Sequence, residues 1–166
     1  MKKNAPADFK LRSIVLLQGM FAPEFYDALA KRKFKNVVVL EGRPSFDSSR
    51  EACQQLLKHR ITPIVIADNT AGFLFSRNFV KEVWIAYQTS DAKGCICEIG
   101  ALIVAVLGKT HRIAVDAAQG IPQKRFLGSP DDVCCLAGQR TAPVGVKGYV
   151  PLVEFVPQKY FRRIHV

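Results

Sequence analysis

The sequence lacks a hydrophobic stretch long enough to cross a lipid bilayer. Its longest strongly apolar run, residues 99–107, is about half of the roughly 20 residues that a transmembrane helix requires. The first fifteen residues also lack the apolar core and the cleavage site of a secretory signal peptide. We therefore expect no membrane span and a cytoplasmic location.

Cysteine and histidine are poorly placed for a disulfide framework or a zinc site. The five cysteines are an odd number, and the pairs Cys95/Cys97 and Cys134/Cys135 stand too close together for the disulfides of a secreted domain. None of the three histidines lies near these cysteines in sequence, as a zinc site would require. We expect reduced core cysteines and no bound metal.

The glycine-rich turns of nucleotide-binding proteins are absent as well. Gly19-Met20-Phe21, which follows the first predicted strand, lacks the glycine spacing that lets a backbone approach a pyrophosphate. No predicted strand is followed by the Gly-Lys-Ser/Thr of a phosphate-binding loop. We therefore expect neither a dinucleotide nor nucleotide hydrolysis, and the sequence indicates no other cofactor.

Acidic residues are scarce relative to basic ones, with 14 Asp and Glu against 24 Lys and Arg and a net charge of +10. Such a field attracts anions, so it favours an acidic or phosphorylated partner. The basic residues are scattered, however, and no run alternates bases with aromatics along one face. Nucleic-acid binding is therefore the less favoured alternative, with Arg162 and Arg163 as its candidate contacts.

What the sequence does contain is a repeated alternation of apolar runs and helical patterns. A chain of 166 residues usually builds one hydrophobic core. Short apolar runs predict six strands, over residues 13–18, 37–40, 62–68, 80–86, 112–116 and 149–155. Capping and periodicity predict helices from Pro23, from Asp47 or Ser48 to His59, from Asp68 or Asn69, over residues 96–108 and over residues 159–164.

Strands that alternate with helices need right-handed crossovers, which produce a parallel sheet. The sequence therefore predicts an α/β, three-layer, Rossmann-like fold, with a mostly parallel sheet and helices on both faces. We expect a flexible N-terminus over residues 1–11 and a single domain over residues 12–166. A polar loop over residues 87–93 and an irregular excursion over residues 117–146 are also predicted.

Polar residues gather after the predicted strands. Ligands of open parallel sheets bind there, because helix N-termini and loop amides converge at the carboxyl ends. Turns and caps use the same residue types, so part of this clustering can be structural. The candidate ligand-binding residues are Gln18, Gly19, Arg43, Ser45, Asp47, Asp68, Gln88, Thr89, Gly94 and Glu98.

A reactive thiol is a separate alternative. Cys95 and Cys97 stand at the predicted start of a helix. The helix dipole lowers a thiol pKa at that position, which favours the nucleophilic or metal-binding thiolate.

Several segments resemble one family. Glu41-Gly42-Arg43-Pro44 follows the second predicted strand, and Ser49-Arg50-Glu51-Ala52 lies in the next helix. The third strand reads Ile61-Thr-Pro-Ile-Val-Ile-Ala-Asp68, with Ala71 after it, and Glu98-Ile99-Gly100-Ala101 follows later. In order and spacing these are similar to the E-T-R-P, A-R-x-x-A, G-I-P-V-x-x-I-x-D-x-x-A and N-K-I-G-T motifs of translation initiation factor 2B regulatory subunits and methylthioribose-1-phosphate isomerases. The resemblance covers residues 12–164.

This resemblance implies a Rossmann-like platform for a nucleotide or sugar phosphate that forms a homodimer through the same domain. Family members carry an N-terminal helical domain before the sheet, and the first strand here begins almost at once. We therefore expect only the Rossmann-like half of the family's architecture.

The resemblance does not carry the isomerase mechanism with it. The catalytic cysteine and aspartate of the isomerases match about Leu17 and Gln88 in this sequence. Leucine has no titratable group and a glutamine amide exchanges no proton near neutral pH, so neither can do the family's proton transfer. The family's substrate-contacting glutamine matches Asp47, and its phosphate-contacting Asn-Lys pair matches Cys97-Glu98. Carboxylates at these places would repel a phosphate.

Three interpretations follow. We favour a non-catalytic binding or regulatory module, a homodimer with a small phosphorylated ligand, for which Arg43 and the amides near Gly94 are the remaining anion contacts. One alternative is an aldose-ketose isomerase with relocated chemistry, in which Asp91 is the acid/base and Cys95 or Cys97 its partner. Another is an RNA-contacting accessory protein of translation, an idea suggested by the family's name.

Overall fold

A computed structural model describes residues 11–32, 34 and 36–165, so residues 1–10 of the predicted flexible N-terminus lie outside it. The strands are β1 (Ile14–Gln18), β2 (Asn36–Leu40), β3 (Ile64–Ile66), β4 (Val80–Asp91), β5 (Gly94–Glu98), β6 (Ala114–Gln119), β7 (Cys135–Leu136), β8 (Gln139–Arg140), β9 (Val153–Pro157) and β10 (Arg163–His165). The α-helices are α1 (Pro23–Ala30), α2 (Asp47–Lys58), α3 (Ala71–Ser76), α4 (Ala101–Thr110) and α5 (Asp131–Cys134).

The sheet is built around β1, whose five residues are all buried. Its main part has the strand order β3-β2-β1-β4-β6-β10, and each neighbouring pair is parallel. A continuous apolar run suits a central strand of this kind, because both of its faces are covered. The predicted Rossmann-like, mostly parallel sheet is confirmed.

Helices cover both faces of the sheet, as predicted. Successive strand residues point to opposite faces. Ile14 and Leu16 of β1 therefore pack in one core with α3 and α4, while Val15 and Leu17 pack in a second core with α1 and α2. This alternation explains why a strand that reads as uniformly apolar serves two separate cores.

The predicted loop over residues 87–93 is wrong. β4 continues to Asp91, and β5 returns antiparallel beside it, so a β-hairpin extends beyond the parallel part of the sheet. The Asp91 carboxylate closes the turn by accepting the N–H groups of Lys93 and Gly94. The predicted helix over residues 96–108 accordingly begins later, at Ala101, because a short apolar run does not distinguish helix from strand.

The C-terminal segments also differ from the prediction. The sixth predicted strand, over residues 149–155, corresponds to β9, which pairs antiparallel with β5 and is not a parallel member of the sheet. The predicted helix over residues 159–164 is wrong, because β10 pairs in parallel with β6 there. Two tertiary contacts hold this edge strand, namely the Tyr87 hydroxyl donating to the His165 carbonyl and the Arg162 guanidinium paired with buried Asp116.

The segment between β6 and β9 is largely irregular, as predicted, although β6 itself runs on to Gln119. Within it lie α5 and the small hairpin of β7 and β8. Among the described helices, none has the length and hydrophobicity needed to cross a bilayer. The described residues likewise place no three His, Cys, Asp or Glu side chains together as a metal site.

Two adjacent leucines of α2 test the packing of the second core. Leu56 is 0% exposed and Leu57 is 58% exposed. We expect Leu56→Ala to lower the free energy of unfolding by about 2–5 kcal/mol, because it leaves a cavity. Leu57→Ala, with the same loss of helix-forming side chain, should cost less than about 1 kcal/mol. Equal costs in urea unfolding would contradict the placement of α2.

Candidate functional site

The carboxyl ends of β1, β2 and β3 meet at one edge of the sheet, and the hairpin brings Glu98 back to the same place. Glu98 is only 6% exposed, and its Oε1 accepts a hydrogen bond of 3.0 Å from the Ser48 hydroxyl at the start of α2. Its Oε2 has no hydrogen-bond donor among the described protein groups. Burial raises the pKa of Glu98 to about 7; the nearby charges of Asp68 and Asp47 add to the rise, and the Ser48 hydrogen bond opposes it.

Gln18 ends β1 beside Glu98 and is 2% exposed. Its Nε2 donates to the Ile99 carbonyl at 3.1 Å, which fixes the orientation of the amide and leaves Oε1 without a partner. Arg43 has a third such atom, a buried Nη1, and its guanidinium lies over the Phe46 ring. Of the four buried side-chain polar atoms without a partner in the described protein, three belong to residues of this edge.

The loop after β2 is held by Asp68. Its two carboxylate oxygens accept the N–H groups of Gly42 at 3.0 Å and Arg43 at 2.9 Å. Asp68 was predicted to cap a helix, but it makes no side-chain cap there and positions this loop. Gly42 has a φ of +69°, and a Cβ at this position would lie 2.3 Å from the Ser48 hydroxyl. A glycine is therefore needed for Ser48 to reach Glu98.

Gln88 lies at a β-bulge between β4 and β5. Tyr87 pairs with Cys97 and Thr89 with Ile96, so Gln88 is an extra residue opposite a continuous partner strand. Bulges commonly redirect a side chain at a functional site. Here the Gln88 side chain accepts the Gln123 N–H at 3.2 Å, which ties the loop after β6 to the site.

Two cavities lie at this edge. The inner cavity, about 10 Å³, is lined by Met20, Ala86, Tyr87, Gln88, Glu98, Ile121 and Gln123. The outer cavity, about 380 Å³, is lined by Met20, Ser45, Asp47, Ile121, Pro122, Gln123, Lys124, Arg125 and Leu152. Met20, Ile121 and Gln123 line both cavities and thus separate them. A ligand in the outer cavity would reach Glu98 by displacing these side chains.

The structure brings most of the predicted ligand-binding residues together, but not Thr89 and Gly94. These two line a separate cavity of about 180 Å³ together with Asp91 on the hairpin. Asp91 lies three residues beyond Gln88 along an extended strand, roughly 10 Å away. The relocated acid/base chemistry that Asp91 was predicted to provide would therefore act outside the cavities beside Glu98.

The predicted position of the thiols is wrong. Cys95 and Cys97 are not at a helix N-terminus, because they lie on β5 with both side chains in the first core. The hydrogen bond with Cys95, followed by burial, raises the pKa of Cys97. Alternation along the strand directs Glu98 to the opposite face, toward the cavity.

Several residues of the site were not predicted. Gly42 and Ser48 lie beside residues that the sequence did indicate, and their proximity to Glu98 depends on how α2 packs. The site residues on the loop after β6 were missed for a different reason. Nothing in the local sequence pattern shows that this irregular segment folds back over the strand ends. These loop residues are Ile121, Gln123, Lys124 and Arg125.

Two other regions of the described chain have features of a binding site. A groove of about 420 Å³ beside α1 is lined mainly by apolar residues, including Phe25 and Trp84. The cation on its rim, Arg32, is already paired with Glu82. Arg162, a predicted RNA contact, is likewise engaged with buried Asp116, which raises its pKa. Replacing Arg162 would therefore disturb the fold along with any RNA contact.

Comparison with known proteins gives a consistent result. The family model described as the initiation factor 2 subunit family matches residues 21–164. Methylthioribose-1-phosphate isomerase of Thermus thermophilus is 28% identical over 146 residues, covering 80% of this chain and 44% of the relative. The isomerase of Roseiflexus sp. is 30% identical over 136 residues, covering 74% of this chain and 38% of the relative. The chain thus spans less than half the length of these curated relatives.

Two solved structures share the fold. Translation initiation factor eIF-2B subunit delta from A. fulgidus has a TM-score of 0.78 at 20% identity, covering 92% of this chain and 51% of that one. 5-Methylthioribose 1-phosphate isomerase from Pyrococcus horikoshii has a TM-score of 0.78 at 22% identity, covering 92% of this chain and 49% of that one. Identities this low show a shared architecture and do not transfer an activity.

The burial of Glu98 predicts a specific pH dependence. Its folded pKa, about 7, lies above the ordinary value of 4.5, so the folded state holds a proton that the unfolded state releases between these pH values. The free energy of unfolding should therefore fall as the pH rises from about 4.5 to about 8, by roughly 1–3 kcal/mol relative to Glu98→Gln.

Urea unfolding across this pH range measures the difference. The matched control is Glu24→Gln, which removes an exposed carboxylate of α1 and should keep the wild-type pH slope. Parallel curves for the wild type and Glu98→Gln would contradict the buried environment described for Glu98.

Proposed function

Because the chain belongs to the initiation factor 2 subunit family, we propose that it is a non-catalytic binding or regulatory module that holds a small ligand of the sugar-phosphate type. The observation that carries the proposal is the set of buried polar atoms at the carboxyl edge, in Gln18, Arg43 and Glu98, that no group in the described part of the chain satisfies. Proteins rarely leave such atoms unpaired, because each costs roughly 1–3 kcal/mol, so a cluster of them favours a ligand site.

The lack of catalysis is supported by the residues at the isomerase positions. Leu17 lies in the second core and is buried, so it presents no reactive group to the cavity. Gln88 lines the inner cavity, but its amide neither gives nor accepts a proton near neutral pH, and it is engaged by the Gln123 N–H. The family contains proteins named as initiation factor subunits and as isomerases, so membership is compatible with a binding role.

A sharp test of ligand binding uses two glycines with positive φ. Gly42→Ala places a Cβ against the Ser48 hydroxyl and should disturb Glu98, whereas Gly138→Ala meets nothing within 4 Å at a φ of +78°. The two changes carry a similar backbone cost, but only the first touches the site.

We expect a sugar phosphate at about 100 times its Kd to raise the Tm of the wild type and of Gly138→Ala by roughly 5–10 °C. The shift should be absent or much smaller for Gly42→Ala. If no sugar phosphate or nucleotide in a thermal-shift panel raises the Tm of the wild type, the proposed function is wrong.

A second candidate function is an aldose-ketose isomerase in which Glu98 is the acid/base. The observation that favours it is a buried carboxyl group with a pKa of about 7 beside the cavity, since a catalytic acid/base works best when its pKa is near the working pH. This residue differs from the Asp91 and thiol pair considered from the sequence.

Turnover of methylthioribose 1-phosphate separates the two functions. The binding proposal expects no ketose product from the wild-type protein. Product formation that is lost in Glu98→Gln and retained in Asp91→Asn would establish the isomerase and overturn the non-catalytic role. Both variants keep side-chain size, so their folding can be checked by unfolding in urea.

We further propose that the protein acts in the cytoplasm as a homodimer, which the resemblance to a family that dimerises through this domain supports. Sedimentation equilibrium should then give a mass of about twice 18.5 kDa at micromolar concentration, without a larger species. A mass equal to that of one chain at all concentrations would contradict the dimer.

A further inference from the structure

At the inner end of the site, two of the three unpaired buried polar atoms are oxygens that can accept hydrogen bonds, and the third is Arg43 Nη1, a donor. Glu98 Oε2 and Gln18 Oε1 are buried and receive no hydrogen bond from the described protein. The other polar atoms of the two side chains are engaged, because Glu98 Oε1 accepts from Ser48 and Gln18 Nε2 donates to Ile99. When Glu98 is ionised, a group that satisfies both free oxygens must therefore donate hydrogen bonds.

An anion does not fit this end. Asp68 and Asp47 are close enough to raise the pKa of Glu98, so three carboxyl groups stand at this end against one cation, the Arg43 guanidinium that lies over Phe46. A phosphate would be repelled, whereas a hydroxyl group carries no charge and donates a hydrogen bond. The inner cavity, about 10 Å³, is also of the size of one water molecule or one hydroxyl group.

The outer end has the opposite character. Lys124 and Arg125, on the loop after β6, are exposed and line the outer cavity. Met20, which separates the two cavities, is a flexible side chain that adapts readily to a ligand. Ser45 and Asp47 line the same cavity nearer α2. The site thus runs from acceptors inside to cations outside.

We propose that the site binds a polyhydroxylated anion in one orientation, with its hydroxyl groups at Gln18 and Glu98 and its anionic group at Lys124 and Arg125. This inference rests on the proposed function, since it assumes that the carboxyl edge binds a ligand. It places the anion subsite on the loop after β6, and not at Cys97 and Glu98, where the family resemblance would put it.

Titration calorimetry with four probes tests the orientation. Ribose 5-phosphate is a sugar with a phosphate group, and ribonate is a polyol with a carboxylate. Ribitol is a neutral polyol, and inorganic phosphate is an anion without a polyol. We expect at least one of the two sugar anions to bind about tenfold or more tightly than ribitol and than inorganic phosphate, because only the sugar anions satisfy both ends. Whichever of the two sugar anions binds more tightly identifies the type of anionic group that the site prefers.

A charge-removal pair locates the anion subsite. Combining Lys124→Ala with Arg125→Ala should lower the affinity for the sugar anion about tenfold or more and leave the affinity for ribitol unchanged. The matched control combines Arg77→Ala with Lys81→Ala, which removes the same charge near the start of β4, at the opposite edge of the sheet. That control should change neither affinity by more than about twofold, because the distance and salt screening weaken the effect.

Proton release locates the hydroxyl subsite. Donation of hydrogen bonds to Glu98 favours its ionised form, so binding of ribitol or of the sugar anion at about pH 7 should release protons. The measured heat should then depend on the buffer's ionisation enthalpy, and Glu98→Gln should abolish that dependence. This readout does not respond to a merely structural change elsewhere.

The outcomes separate the two proposals. If the sugar anion binds but the Lys124 and Arg125 change leaves its affinity intact, or if inorganic phosphate binds as tightly as the sugar anion, the orientation is overturned and the ligand site stands. Binding without proton release, or with release that persists in Glu98→Gln, also overturns it. If none of the four probes binds, the proposed function itself fails.

Discussion

The site depends on the burial of β1 between two parallel strands. Because β1 pairs with β2 and β4 in a fixed register, the ends of these strands occur at one edge, and Gln18 stands opposite Ile85 of β4. A slip of one residue would move every side chain of β1 to the other face and exchange the two cores. The packing of Leu16 and Leu17 on opposite faces therefore also determines where the polar end of the strand points.

The burial of Glu98 has a cost in stability. A buried carboxyl group with one unpaired oxygen is costly, and a well-packed apolar residue would satisfy the core better. The structure nevertheless surrounds it with specific support, since Gly42 makes room for Ser48 and Asp68 holds the loop that carries Gly42. Such local costs are typical of functional sites, whose groups are arranged for a ligand that the free protein does not contain.

The family resemblance predicted from short motifs is confirmed, and so is the fold that it implied. The chemistry is less transferable than the architecture. Leu17, which the resemblance matches to the isomerases' cysteine, lies in a core that any hydrophobic residue of suitable size can fill, so the sheet requires no reactive side chain at that position. Function then depends on the individual side chains at the strand ends, which vary while the fold remains the same.

By itself, the sequence determined the elements with strong local signals. The apolar runs of β1 and β2 and the polar residues after them were readable because burial on both faces requires continuous hydrophobicity and turns require Gly, Asp or Pro. Glu98 was indicated by the motif alignment, although its burial and raised pKa were not.

Only the tertiary structure decided the rest. Cys95 to Glu98 form a strand because β4 and β9 supply hydrogen-bond partners on both sides, and β10 forms because β6 offers a free edge. The loop with Lys124 and Arg125 reaches the site through the Gln88–Gln123 contact between residues 35 positions apart. Contacts between distant segments have no signature in a local pattern, so the composition of the site followed from the fold and not from any motif.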